Sequence, residues 1–390
     1  MLSLFELARK ALTVFALTAV ALIVAACVPP PAPDAGGLIT GRVVKVALLV
    51  PGGSGQASDE LLARSLQNAA RMAISDISGA KIELLVYDTA GQPAQAASMA
   101  TQAADDGAQI ILGPVFAQEA NAAGAALATR GINVLSFSNN TDIAGGNVFV
   151  LGPTFDNSAR RLASYAVRNG KGRIMIVHDR NTAGELGRDA IQRSVQAAGG
   201  SVVAVGSYEF SQSGVSNAIP GVMQTARSAS ANALFLTADS AGALPLVSQL
   251  LSDNGLDRAA MQLIGLTRWD VPAATLALPG VQGGWFALPD PGLFAQFQNR
   301  YMSAFGEPPH PIAGLAYDGI AAIGALAARG NGDNFTAAAV TQGAGFVGVN
   351  GIFRLLPDGS NERGLAVAQV RDNQAFVVDP APRSFSGAGF

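Results

Sequence analysis

The chain has 390 residues, of which 49% are hydrophobic and 14% charged, with a net charge of −3. That length suits two domains better than one, and the apolar fraction supplies a large core. The near-neutral balance offers no basic patch for nucleic acid. The two histidines, His178 and His310, lie too far apart for a metal site of ordinary spacing.

Arg9 and Lys10 precede an apolar stretch at 11–24, which ends in Val24-Ala25-Ala26-Cys27 before a Pro-rich segment. A basic start, an apolar middle and small residues at the cut are the order of a secretory signal. The stretch falls short of the roughly 20 apolar residues of a membrane span. Cys27 is the only cysteine, so no disulfide forms within the chain. The segment resembles the lipobox of bacterial lipoproteins, which implies cleavage before Cys27, thioether lipidation and acylation. Each buried CH₂ of such chains contributes about 0.8 kcal/mol to anchoring. Val28, in place of the aspartate that retains such lipoproteins at the inner membrane, implies a periplasmic-face anchor in the outer membrane rather than the inner one. An uncleaved anchor, or an ordinary signal with an incidental cysteine, are the alternatives. Residues 1–26 are thus the signal peptide, and 27–37 the lipidated cysteine and an extended Pro-rich tether.

From residue 43 the pattern is that of strands alternating with helices. Residues 43–50 form a near-continuous apolar run, as in a strand buried on both faces. A helix follows, capped by Ser58, with Asp59 and Glu60 in its first turn and Leu62, Leu66, Ala69 and Ala73 as its apolar stripe. Strands are predicted at 82–87, 110–112, 133–136 and 148–151, with helices at 94–104 and 120–128. The pattern then restarts: helix 160–168, strand 174–177, helix 186–198, strand 202–205, helix 220–227 with Pro220 in its first turn, and strands 233–236 and 263–266. Asp290-Pro291 opens a helix carrying Phe294, Phe297, Tyr301 and Phe305, and 312–328 is a long Ala-rich helix. Residues 346–356 and 366–378 read as a hairpin-like tail turning at Pro357-Asp358-Gly359-Ser360. The fold class is therefore α/β, with two doubly wound parallel-sheet lobes.

The opening strand Lys45-Val46-Ala47-Leu48-Leu49-Val50-Pro51 and the run Ile110-Ile111-Leu112-Gly113-Pro114 are followed by Asn133-Val134-Leu135-Ser136. Ala316-Tyr317-Asp318-Gly319-Ile320 and the closing run from Phe346 to Arg354 come after these. In this order and spacing the chain resembles the type I periplasmic binding protein superfamily, in its leucine/isoleucine/valine-binding branch. The resemblance implies two lobes joined by three crossovers, with a ligand in the cleft. It divides the chain into an N-terminal lobe of 38–152 plus about 281–335, a C-terminal lobe of 153–280 plus about 336–380, and a tail at 381–390. Within the branch the chain looks most like lipoproteins that activate penicillin-binding proteins.

Ligands of open α/β sheets bind beyond the carboxyl ends of the strands, which selects four loops. Loop 52–58, with Gly53 and Ser54, offers backbone N–H groups and a helix start to an anion, or is an ordinary strand–helix turn. Loop 114–118 brings Phe116 and Ala117; amino-acid binders of the branch place a hydroxyl near Ala117 to hold the ligand carboxylate. Loop 136–141 is the most polar. There the resemblance implies that Ser138 and Thr141, beside Ser136 and Asn139, hold a carboxylate, and turn formation by the same side chains is the alternative. The second lobe supplies Asn181, Leu186, Asp239 and Ser240. The branch implies an aromatic lid near Leu186 and an acid near Asp239 for the ligand's amino group; a helix cap is the alternative for Asp239.

No nucleophile motif, cofactor motif or metal set is present, which points away from an enzyme and from any cofactor. Two functions follow. One is a lipid-anchored regulator that activates a peptidoglycan synthase of the penicillin-binding type, favoured by Ala117 and Leu186. The other is a substrate-binding lipoprotein that delivers a branched-chain amino acid or another small solute to an ABC permease, favoured by the full two-lobe fold and Asp239.

Overall fold

The computed structural model describes residues 43–329 and 334–385. Cys27, the signal segment and the tether lie outside the described residues. β1 (Val44–Val50) is buried at every position but Lys45, as its apolar run requires. α1 (Ala57–Asp76), β2 (Ile82–Asp88), α2 (Pro93–Asp105), β3 (Ile110–Leu112), α3 (Ala117–Leu127), β4 (Val134–Ser136) and β5 (Val148–Val150) follow. The strands form one all-parallel sheet in the order β2-β1-β3-β4-β5. Apolar side chains cover both of its faces, Leu48 and Leu112 on one and Leu49 and Ile111 on the other. The predicted stripe of α1 is buried, but its cap is Gln56 and not Ser58. Ser54 Oγ accepts the Gln56 N–H at 3.1 Å, so the turn closes earlier and Ser58 falls inside the helix.

The second lobe starts with α4 (Phe155–Arg168), then β6 (Arg173–Asp179), α5 (Thr182–Ala197), β7 (Ser201–Tyr208), α6 (Gln212–Ser228), β8 (Ala233–Leu236), α7 (Leu244–Asp253), β9 (Gln262–Gly265) and β10 (Trp285–Leu288). Three helices begin ahead of their predicted starts because a polar side chain caps each. Thr154 and Asn157 form a reciprocal capping box on α4, and Asn181 and Ser211 cap α5 and α6. Pro220 therefore lies inside α6, on its exposed side, and not in its first turn. Thr154→Ala is expected to lower stability by about 1 kcal/mol, read as a shift of the urea midpoint at unchanged slope.

α8 (Pro291–Phe305) is capped by Asp290 as expected, through the N–H groups of Gly292 and Leu293. It buries Phe297 and Tyr301. α9 (Ala313–Ala327), α10 (Ala337–Val340), β11 (Phe346–Gly348), β12 (Gly351–Leu355), β13 (Asn361–Arg363), β14 (Ala366–Arg371) and β15 (Gln374–Asp379) complete the chain. The tail departs from the expected hairpin. The turn at 357–360 joins β12 to β13 in a small antiparallel sheet, β11-β12-β13. The true terminal hairpin is β14–β15, turning at Asp372 and Asn373, both with positive φ. β14 pairs antiparallel with β10, so the second sheet is mixed, in the order β15-β14-β10-β9-β8-β6-β7. Residues 285–288 thus belong to the second lobe's sheet. Phe346, Phe353 and Leu355 of the small sheet pack into the first lobe's core.

The chain passes between lobes after β5, after β10 and between β13 and β14. A buried polar network ties the passage after β5 to the one between β13 and β14. Asp318 of α9 is 0% exposed. It accepts from Asn350 N and Nδ2 (3.3 and 2.9 Å) and from Arg363 Nη1 at 3.1 Å. Arg363 also donates Nε to Leu151 O at 3.0 Å. Asn361 Nδ2 reaches Val150 O and Gly152 O at 2.7 and 2.9 Å. Gly348 lies so close that a Cβ there would clash with the Asp318 carboxylate. Two of the runs that carried the family resemblance thus meet at this point.

Candidate functional site

The carboxyl ends of both sheets face a common cavity of about 330 Å³ beside the crossovers. Its lining draws on both lobes, with Asn139 and Ile312 from the first, Phe155, Thr267 and Arg268 from the second, and Arg363 from the hinge. Of the residues selected from sequence, Asn139 lines this cavity.

In the first lobe the loop glycine Gly53 gives its N–H to Glu60 Oε1 at 2.7 Å, so an acid of the same chain already occupies that donor. Ser136 Oγ donates to Pro114 O at 3.0 Å and accepts from Ser138 N at 3.1 Å. Ser138 Oγ in turn accepts from Asn140 N at 3.1 Å. These bonds build a turn from the serines, as Asn140 Oδ1 continues with Asp142 N at 2.9 Å. Thr141 is exposed at the start of a short 3₁₀ turn. Ala117 opens α3, and Phe116 just before it is 41% exposed.

In the second lobe Asn181 Oδ1 accepts the Gly184 N–H at 2.7 Å as the cap of α5. Leu186 is exposed on that helix. Ser240 Oγ donates to Val271 O at 2.7 Å, which ties the loop after β8 to the loop after β9. The carbonyl of Asp239 accepts from Gly242 and Leu244, and its side chain stands beside Gly242 and the Phe210 ring. Arg180 pairs with Glu209 and Arg268 with Asp270, and the Arg268 guanidinium lies 5.9 Å from the Phe294 ring centre across the lobes.

Three polar side chains at these strand ends escaped the sequence reading. Glu119, in the first turn of α3, is 1% exposed and neither oxygen is hydrogen-bonded. Burial pushes its carboxyl up, and the charge of Asp59 pushes it further. Asp179, at the end of β6, is buried with Oδ1 unpartnered, and Tyr208, at the end of β7, is buried with its hydroxyl unpartnered. Burial raises Asp179, with Asp239 adding to the effect, and burial beside Asp179 suppresses ionisation of the Tyr208 phenol. Glu119 follows Phe116 at the spacing of a capping-box acid, which conceals it in sequence. Asp179 lies in the strand-end segment 178–181 that leads into the selected Asn181, where sequence alone gives it no role.

Among the described residues no group of three or more His, Cys, Asp or Glu can hold a metal ion, and no helix is long and apolar enough to cross a membrane.

The model of a periplasmic binding protein family matches residues 43–375. No curated protein matches the sequence. Among solved structures, a branched-chain amino acid ABC transporter protein of Rhodospirillum rubrum superposes with a TM-score of 0.72 at 19% identity, over 87% of this chain and 100% of that one. A branched-chain amino acid ABC transporter periplasmic ligand-binding protein of Burkholderia xenovorans gives 0.68 at 18%, over 88% and 96%. An ABC transporter substrate-binding protein of Desulfitobacterium hafniense in complex with Leu gives 0.63 at 18%, over 86% and 100%. With a family model spanning both lobes and the same two-lobe α/β fold in these structures, the chain belongs to the periplasmic binding protein family.

Proposed function

We propose that this protein is the solute-binding component of an ABC importer, held at the periplasmic face through an acylated Cys27. The observation that carries the reading is the cavity bounded by the carboxyl ends of both sheets, at the crossovers where lobes can close on a solute. The branched-chain amino acid transporters among its structural relatives support the same reading. Branched-chain amino acids are one candidate solute. The first lobe lacks a hydroxyl at Ala117, and the Ser136 and Ser138 hydroxyls are engaged in turn bonds, so the ligand's grip differs from that implied for amino-acid binders.

That same difference favours a second reading, a lipid-anchored activator of a peptidoglycan synthase at the outer membrane. A thermal-shift panel of amino acids, aromatic acids and amines on the full chain separates the two. A solute at a hundredfold its Kd is expected to stabilise the protein by about 2.7 kcal/mol. A panel without any stabilising solute, together with co-purification of a peptidoglycan synthase, would establish the activator instead.

A further inference from the structure

The strand ends of both lobes pair an exposed phenylalanine with acids, beyond the lining of the cavity described above. In the first lobe Asp59 and the Phe116 ring converge on Gly91, where a Cβ would touch both. The buried Glu119 carboxyl stands beside the Thr89 hydroxyl, the Phe116 backbone and Asp59, and neither of the two donors meets its oxygens in good hydrogen-bond geometry. The Thr89 hydroxyl donates to Val50 O at 3.0 Å instead. In the second lobe Phe210 is 58% exposed and adjoins the Asp239 side chain at Gly242. Asp239 in turn faces the buried Asp179 and Tyr208, which lie against each other with the Asp179 Oδ1 and the Tyr208 hydroxyl outside good hydrogen-bond geometry.

Among the described residues no lysine or arginine pairs with these acids, although His178 stands near Asp179 and favours its charged form. Loops 51–56, 89–92, 113–118 and 137–140 contain no lysine or arginine. In the second lobe Arg180 and Arg268 are each matched by an acid of their own. A buried carboxylate without a donor is unfavourable and calls for one. An ammonium group supplies donors to the carboxylate and rests on an aromatic face at once. At Glu119, and at Asp179 with Asp239, a carboxylate ligand meets acids, whereas the cavity itself is lined by Arg268 and Arg363.

We infer that the strand ends of each lobe hold an ammonium group, at Glu119 with Phe116 in the first and at Asp179 and Asp239 with Phe210 in the second. The solute taken is then a small di- or polyamine; this rests on the solute-binding reading above. The test is calorimetric titration of the full chain with spermidine, L-leucine and sodium benzoate, repeated on E119Q, D179N, F116L and F210L. Spermidine is expected to bind at least about tenfold more tightly than the other two probes. E119Q and D179N are each expected to weaken it by about tenfold or more. Lying in different lobes without a shared partner, they multiply to about a hundredfold in the double variant. Melting without ligand checks that each variant folds. F116L and F210L, at exposed rings, give a second route with a loss of about two- to fivefold each. Spermidine binding unchanged in the acid variants would overturn the inference as mere diffuse attraction. Tight binding of leucine or benzoate without spermidine would overturn it too, and leave the solute-binding reading intact. No binding by any probe or by the wider panel would remove both.

Discussion

Arg363→Met is expected to cost about 3–5 kcal/mol of folding stability, a large part of what holds a domain of this kind together. The side chain is buried, and so is its partner Asp318. Removing the guanidinium leaves a carboxylate inside the protein with only the Asn350 donors to answer it. It also strips the carbonyl of Leu151 of its two Arg363 donors and removes the cation lying 5.1 Å from the centre of the Phe353 ring. Equilibrium urea unfolding measures the loss. The double variant Asp318→Asn/Arg363→Met is expected to recover much of it, because a buried pair can be replaced at little cost when both charges go. If the double variant were no more stable than the single one, the uncompensated carboxylate would not be the cause.

The second large effect is on pH dependence, with a sign opposite to that of an ordinary salt-bridged acid. Burial raises the Glu119 carboxyl above its ordinary 4.5 and the Asp179 carboxyl above its ordinary 3.8. Above those ordinary values the unfolded chain has released protons that the folded chain still holds. Stability therefore falls as pH rises from there to the folded-state values. Each group is expected to cost on the order of 1–3 kcal/mol once ionised without a partner. Urea midpoints taken from pH 4.5 to 7.5 should decline, and the E119Q/D179N variant should flatten the decline. A decline of equal slope in that variant would assign it to other groups. Asp76 acts in the opposite sense. Burial pushes its carboxyl up, but hydrogen bonds from Tyr317 and Arg300 outweigh that and hold it low, so its contribution is lost as pH falls through its lowered value.

Much of the fold was legible because its signals are local. The apolar run of β1, the stripe of α1 and the Asp290 cap of α8 each state their element within a few residues. α6 was cut short because Gly214, Asn217, Pro220 and Gly221 interrupt its apolar period, while tertiary burial of Val215 and Ile219 still holds the first turns in place. β10 is a four-residue strand whose identity comes from β9 and β14 on either side, partners that sequence spacing does not reveal. At the candidate site the strand ends pointed to four loops, of whose selected residues Asn139 lines the cavity. The side chains with unmet hydrogen-bonding capacity were not among those selected, because Glu119 reads as a helix cap and Asp179 as a strand end. Only the folded structure shows how far these acids have lost water.

The pairing of β10 with β14 also orders events in time. All five strands of the first sheet come from residues 44–150, so that sheet can form from a contiguous stretch as the chain emerges. The second sheet waits for its last two strands, which begin at Ala366, close to the carboxyl end. Until they arrive, β10 presents an unpaired edge of Trp285, Phe286, Ala287 and Leu288, an apolar template open to other chains. Arg161 then fastens the finished end through Leu365 O and Pro380 O at 2.6 and 3.0 Å. A ribosome stall or a nick in the final segment would therefore damage the second lobe first, by exposing the edge of β10.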